Sequence, residues 1–459
     1  MDFDIIKKTP IFEVLSDRGK RIFLPDGIFY WSGRAKKEAE LIGTIGTAFA
    51  FEKDFIDGGS DEWVPCYFKD ISKYTPLHIK NVVPYAPIGG LADLRATWKN
   101  WIIKKSLFEE EAEKAKLEKL ERYITLPIIT SGVTNGIFLC CSLFLNKNEI
   151  IISPNKRWGN YDNIIVKNLG AEIKSFEFFK NGKLNLEGLK AAIEEVSKVQ
   201  EKIVIILNFP NNPTGYTPTT DEANELITLL KETQKSNGKP MIILVDEAYE
   251  PFVYTEAAIK KSIFYDLQQL DQNIIPIKLD GITKELLMYG GRIGFITIGL
   301  KPSWTKTNEE LETLKNEINN KLEGMNRSSI SNCNHFYQAI TESIFNDNGM
   351  DQIIEIRDKV KNMLKLRYEK INSELTKINN PNISVDPNSG GFFLFINLNS
   401  EKILASKFAD HLLKDYKVGV IPIEKLNDGI NGIRIAYCSI DLNKIPEFMK
   451  RIQLALNDF

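Results

Sequence analysis

Between about Arg122 and Leu300, short β-branched runs alternate with helical patterns: IIIS at 150–153, IVIILN at 203–208, MIILVD at 241–246 and IIPIKLD at 274–280. That alternation predicts a mostly parallel sheet covered by helices. Three of the runs are apolar almost throughout, as strands buried on both faces are, so functional residues are expected just past their C-terminal ends. The apolar run IFLCCSLFL, Ile137 to Leu145, is far too short to span a bilayer and predicts a buried helix. After Lys301 the texture changes to long charged helices, NEELETLKNEINNKLEG and EIRDKVKNMLKLRYEKINSEL. Two strands follow, GGFFLFINL and GIRIAYCSI, separated by the helical KILASKFADHLLKDY. This is an α+β pattern and predicts a separate small domain. Before about residue 75 the periodicity is weak and Gly and aromatic residues are frequent, so that segment is expected to pack on the small domain. The expected organisation is an N-terminal segment over 1–75, a large domain over 76–330 and a small domain over 331–459. The charged run KKSLFEEEAEKAKLEKLER at 104–122 reads as a solvated helix face.

Length and composition narrow this picture. A chain of 459 residues, 43% hydrophobic, is too long for one ordinary core, which supports two domains. Lys and Arg (59) nearly balance Asp and Glu (61) without long blocks of one sign, which argues against a nucleic-acid footprint; any bound anion is gripped locally. The start MDFDIIKKTP has neither a basic-then-apolar leader nor a small-residue cleavage site, so a cytoplasmic protein is expected. Five cysteines form no CxxC pair and only three histidines are present; reduced structural thiols and no metal are expected.

The sharpest string is NFPNNPTG, Asn208 to Gly215, directly after an apolar run. Its prolines and glycine fix a rigid turn, and Asn212 offers an amide able to donate to an oxygen anion. A plain turn would explain the prolines alone. Asp246 ends the next run, with Tyr249 three residues on. A carboxylate at a buried strand end is costly unless it meets a cation or donors; a helix N-cap is the ordinary alternative. In KLDGITKELLMYGGRIGF, Lys284 follows a third run and Arg292 lies eight residues beyond. An amine in a partly desolvated, cation-rich pocket has its pKa lowered and becomes nucleophilic towards an aldehyde, and an arginine grips a phosphate bidentately.

These residues, in this order and spacing, resemble the class I/II aminotransferases, enzymes dependent on pyridoxal 5'-phosphate (PLP) and related to the aspartate and aromatic aminotransferases. The resemblance covers roughly residues 80 to 440. The fold it implies is α/β: a large domain with a mostly parallel sheet of the seven-stranded type sandwiched by helices, plus a smaller α+β domain. It implies that Lys284 holds PLP as a Schiff base, that Asp246 partners the pyridinium, and that Asn212 and Tyr249 donate to the ring oxygen. Arg292 then falls on the phosphate. TSGVTNGIF resembles the phosphate-binding turn at a helix start, which implicates Gly132, Val133 and Thr134; such a helix end attracts anions. PNKRWGNY resembles the segment whose ring stacks on the cofactor, here Trp158, and YAPIGGLADLR the segment in which Tyr85 reaches the phosphate of a neighbouring subunit, so a homodimer is implied. GIRIAYC resembles the strand whose arginine takes the substrate α-carboxylate, here Arg434, with Asn160 assisting. NRSSISN places Arg327 where dicarboxylate-specific members carry an arginine for the distal carboxylate.

One departure stands out. The family usually has a serine three residues before the lysine, and this chain has Gly281, which shifts phosphate binding towards Thr283, Thr134 and Tyr85. The expected activity is transfer of an amino group between an L-amino acid and a 2-oxo acid, with acidic or aromatic substrates. The alternatives on the same scaffold are a β-lyase or a decarboxylase, and less favoured is a non-catalytic regulator. A dinucleotide-binding enzyme is weaker still, since no GxGxxG or GxxxxGK follows a strand.

Overall fold

The computed structural model describes residues 4–23, 27–108 and 112–459; Glu109 to Glu111 of the charged run lie outside them. A seven-stranded sheet is formed, in chain order, by β1 (Ile128–Thr130), β2 (Ile150–Pro154), β3 (Glu172–Phe176), β4 (Ile203–Asn208), β5 (Met241–Asp246), β6 (Ile274–Gly281) and β7 (Gly294–Ile298). Their spatial order is β1-β7-β6-β5-β4-β2-β3. Only β7 runs against its neighbours; the other pairings are parallel. Every residue of β4 and β5 is buried, which explains why these runs carry no polar alternation.

One face of the sheet packs on α2 (Gly132–Phe144) through Ile242, Leu244, Ile277 and Leu279. The other face, through Ile243, Val245 and Ile274, meets α1 (Ala92–Lys105) with its Trp98 and Trp101. Helix α3 (Thr220–Asn237) starts at a capping box between Thr219 and Glu222 and stops at Gly238 with φ 69°, a left-handed position that glycine reaches without strain. The charged run at 104–122 is not one helix. α1 ends at Lys105, Leu107 has φ 55°, and a new helix spans Lys114–Arg122.

A four-stranded antiparallel sheet is built from β8 (Ile383–Val385), β9 (Leu394–Leu398), β10 (Ile421–Lys425) and β11 (Ile430–Ile435), ordered β8-β9-β11-β10. Its core is a separate cluster that includes Leu394, Ile396, Ile433 and Ile435. The short α4 (Ile282–Glu285) lies between β6 and β7, and α5 (Asn308–Ser329) and α6 (His335–Leu375) come between the two sheets in sequence. α6 contributes Ile340, Ile344 and Ile353 to the large-sheet core and Val360, Leu364 and Ile371 to the small-sheet core; its kink at Gly349 falls within the large-sheet stretch, before Ile353. Leu41–Ile42 pairs in parallel with Val418–Gly419. All five cysteines are buried free thiols. Among the described residues, no helix is long and apolar enough to cross a membrane.

Candidate active site

Strands β4, β5 and β6 end side by side, and Asp246 stands in register between Asn208 and Leu279. The Asn208 side chain ties the row to the following loop: its Nδ2 donates to the Asp246 carbonyl at 2.9 Å and its Oδ1 accepts from the Asn212 amide at 2.8 Å. Gly215, at φ +75°, closes that loop where a Cβ would fall 2.3 Å from the Phe393 carbonyl oxygen; the loop abuts the small sheet with no room for a side chain. Asp246 is buried and accepts from the Tyr161 hydroxyl and, at 3.2 Å, from the Ala248 amide. Burial pushes its carboxyl up to about 6, and those two donors oppose the rise.

Lys284 sits on α4, one turn after β6. Its amine donates to the Gly46 carbonyl and lies 4.7 Å from the Tyr289 ring centroid, 5.5 Å from that of Phe392 and 5.9 Å from that of Tyr249. Burial brings the amine down to about 8, with the Arg292 and Arg434 cations pushing the same way and the Cys438 thiol against. The departure at Gly281 has a steric cause: a Cβ there would fall 2.6 Å from the Ile293 carbonyl oxygen and 2.8 Å from Gly294 Cα. β7 passes too close for serine, so Thr283 is the hydroxyl left beside the lysine.

Arg292 holds a left-handed φ of 54° and brings its guanidinium over the start of α2. There Gly132 has φ +77°, and a Cβ would stand 2.5 Å from Arg292 Nη2. Val133 and Thr134 follow on the first helical turn, whose amides lack intrahelical partners. Gly132→Ala is therefore expected to strain the backbone by about 1–2 kcal/mol and to displace Arg292. A weaker apparent affinity for the phosphorylated cofactor in a titration of the stripped protein, compared with Ala substituted at exposed Gly159, checks this; equal affinities would refute it.

From the small sheet, Arg434 on β11 reaches the same place. It is buried, donates from Nη1 to Asn212 Oδ1 at 3.1 Å and from Nη2 to the Thr44 carbonyl at 3.0 Å, and lies 4.2 Å from the Phe393 ring centroid. Its Nε has no partner. Burial lowers its pKa to about 10. Trp158 is half-buried with its ring 5.6 Å from that of Tyr161, edge-on at 84°. Asn160 Oδ1 accepts from Asn163 Nδ2 at 3.1 Å. Tyr85 is 91% exposed, and Arg327, on the last turn of α5, is exposed and donates to Ser331 Oγ. Within one chain, no hydrogen bond or ring contact brings Tyr85 or Arg327 to Lys284.

The model of the family described as aminotransferase class I and II matches residues 86–452. The chain belongs to this family. A probable aspartate/prephenate aminotransferase of Aquifex aeolicus is 25% identical over 381 residues, covering 82% of this chain and 84% of the relative. A probable N-acetyl-LL-diaminopimelate aminotransferase of Bacillus subtilis is 25% identical over 394 residues, 83% and 86% of the two chains. Among solved structures, an aminotransferase from Anaerococcus prevotii superposes with a TM-score of 0.79 at 24% identity, covering 97% of this chain and 99% of that one. The protein is thus a PLP-dependent aminotransferase acting on amino acids and 2-oxo acids, on the fold its sequence patterning implies.

The residues of this aminotransferase fit that cofactor on their own evidence. Asp246 is a buried carboxylate with no cation in hydrogen-bonding contact, Arg434 Nε is a buried unpaired donor, and Gly132 leaves a cradle beside a guanidinium at a helix N-terminus. Two contributors escape sequence reasoning. Tyr161, three residues after Trp158, is the hydrogen-bond partner of Asp246; its place in an aromatic segment was visible, its partner was not. The backbone of Thr44 to Thr47 turns its carbonyls onto Arg434, Lys284 and Cys438, and Gly46 has no room for a Cβ against the Phe393 ring. The GTIGT spacing at 43–47 was the only signal.

Proposed function

We propose that Lys284 binds PLP covalently through its ε-amine and that the amino group of an L-amino acid is exchanged with a 2-oxo acid at this lysine. What carries this reading is the meeting of a buried amine whose pKa burial lowers to about 8, a buried carboxylate with no cation bonded to it and two guanidinium groups beside the ends of three adjacent strands. Asp246 would face the pyridine nitrogen, Asn212 and Tyr249 the ring oxygen, and Trp158 the ring face. Gly132, Val133, Thr134, Thr283 and Arg292 would hold the phosphate, with Tyr85 of a neighbouring subunit. When bound, PLP supplies an aldehyde carbon for the amine and a ring that withdraws electrons from it. The chain's own part is positional. Arg434, helped by Asn160, would hold the substrate α-carboxylate and so fix the orientation of the Cα–H bond towards Lys284. When not bound to the cofactor, the Lys284 amine would take the proton from the substrate Cα and return one; an amine near pKa 8 can do both near neutral pH.

A half-reaction tests this. Holding purified enzyme with each of a panel of amino acids should convert the cofactor to its amine form and release the matching 2-oxo acid. Release of pyruvate plus ammonia, or of carbon dioxide, would instead mean a β-lyase or a decarboxylase.

Similar proteins bear names for aspartate/prephenate and for aromatic amino acids, and one similar structure is titled a kynurenine aminotransferase in complex with PMP. We read Arg327 as the group that accepts acidic side chains from across a subunit interface. A charged bidentate contact contributes about 1.5–3 kcal/mol, or roughly tenfold to hundredfold selectivity. Arg327→Ala should lower the glutamate-to-leucine ratio of kcat/KM by that factor; an unchanged ratio sinks the role. Homodimerisation is supported by exposed Ile79, Val83 and Tyr85, which adjoin the 332–335 turn through Asn332 to Ala86 and His335 to Pro84 contacts; a monomer in sedimentation would undo it. The proposed division is a segment to residue 75, a large domain to 330 and a small one to 459; two separate cores support two domains, while the first half of α6 packs on the large-sheet core. Five reduced thiols favour a cytoplasmic setting.

A further inference from the structure

Side chains alternate along a strand, so the ends of β5 and β6 that present Asp246 to one face present Glu247, Lys278 and Asp280 to the other, under α1. There a second charged cluster is sealed from water. Lys105, the last residue of α1, donates from Nζ to Glu250 Oε2 at 2.8 Å, Asp280 Oδ2 at 3.2 Å and Glu285 Oε2 at 3.0 Å. Lys278 pairs with Glu247 and, at 2.9 Å, with Glu250. Two tryptophans of α1 complete the acceptors: Trp98 Nε1 donates to Asp280 Oδ1 at 3.0 Å and Trp101 Nε1 to Glu285 Oε1 at 2.8 Å. Arg357 from α6 stands 3.8 Å from Glu285. The three carboxylates around Lys105 lie close enough together to hold a cation, and the cation among them is the lysine itself.

Such a cluster is an inefficient way to stabilise a core, because desolvating the charges offsets most of their attraction. Its location gives it another use. Asp280 immediately precedes Gly281 and Glu285 immediately follows Lys284, so one ammonium holds both ends of the four-residue helix that carries the reactive amine. A helix that short has no stability of its own; its orientation has to come from tertiary contacts.

We propose that Lys105 is a positioning residue for Lys284, clasping Asp280 and Glu285 so that the α4 turn presents the amine to the cofactor and the substrate Cα. The amine itself is faced directly by Arg292, Arg434, Cys438, Tyr249 and Tyr289, and Glu285 of the cluster is its next neighbour along the chain. Taking away the Lys105 ammonium leaves Glu250, Asp280 and Glu285 with Lys278 and Arg357 as the cations beside them, and the added negative field favours a protonated Lys284.

The inference rests on Lys284 carrying the cofactor, and the experiment separates the two. Lys284→Ala tests the carrier: retention of its visible band would overturn that reading alone. Lys105→Met should keep the visible band of the loaded enzyme while moving the pH midpoint of its absorbance change upward by about half a unit to one unit. It should also lower kcat about tenfold with KM changed less than about threefold, and slow the uptake of PLP by the stripped chain. The charge-balanced Lys105→Met/Glu285→Gln variant should return the midpoint towards wild type without restoring kcat. A lower melting temperature with midpoint and kcat unchanged would make the cluster purely structural and overturn the proposal. Should Lys105→Met not fold, Trp101→Phe removes one tie to Glu285 without altering charge; a kcat fall at constant midpoint supports positioning, and an unchanged kcat overturns it.

Discussion

Lys284→Ala is expected to abolish the visible absorption of the cofactor-loaded enzyme and to reduce turnover by about ten-thousand-fold, since it removes both the attachment point and the proton carrier, and proton transfer alone contributes up to that factor. Stability should move the other way for Lys284→Met, which keeps the length of the side chain. Burial holds the folded-state amine at about 8, below its unfolded value of about 10.4. The charged form is therefore the disfavoured one in the folded chain: stability is fullest above the unfolded pKa and is lost as pH falls through the folded one. At pH 7 this amounts to a penalty on the order of 1–3 kcal/mol in the cofactor-free chain, less what the Gly46 contact returns. Calorimetry of the stripped protein should show Lys284→Met melting at or above wild type at pH 7, with the advantage shrinking by pH 10. A marked drop at both pH values would mean that this lysine serves packing rather than chemistry.

The same contrast explains what could be read from residue order alone. Asn208–Gly215, Asp246 and Lys284 each follow a largely apolar run, Arg292 stands eight residues beyond Lys284, and chain-breaking Pro and Gly mark the turns, so local pattern located the residues that the structure brings together. The 459-residue length and the change of texture after Lys301 foreshadowed two sheets and two cores. What stayed hidden depends on contacts between distant segments. The backbone at 44–47 joins the site through carbonyl oxygens, which every residue type possesses. Tyr161 becomes a partner of Asp246 only because β2 and β5 lie in one sheet with β4 between them. Lys105 stands in a run whose composition reads as solvated, yet the helix stops there and the side chain turns into a ring of three acids. Lys278 and Asp280 interrupt a strand that otherwise looks like its apolar neighbours, and only the alternation of faces shows that both point at α1. Gly281, a departure from the serine of the family, is accounted for by the closeness of β7, a constraint that no local pattern contains.

Asp246→Asn should lower kcat by about a hundred- to a thousandfold, the usual cost of removing one pre-placed charge from a desolvated site, because a neutral amide cannot stabilise a protonated ring nitrogen. In the cofactor-free chain the same substitution should stabilise. The Asp246 carboxyl is raised to about 6 by burial, against about 3.9 in the unfolded chain. Below about pH 3.5 both states hold the proton and nothing is lost; as pH rises towards 6 the unfolded chain ionises first, and by pH 7 the folded state has given up about 3 kcal/mol. Asparagine never ionises, so stripped Asp246→Asn should melt higher than stripped wild type at pH 8 and level with it only below about pH 3.5, whereas added PLP should stabilise the wild type more than the variant. Tyr161→Phe isolates the hydroxyl that now holds the carboxyl down: it should move the acid limb of the pH–rate profile upward and lower kcat by only about tenfold. If stripped Asp246→Asn were less stable at both pH values, the buried carboxylate would be a satisfied structural group, and its pairing with the ring nitrogen would have to be abandoned.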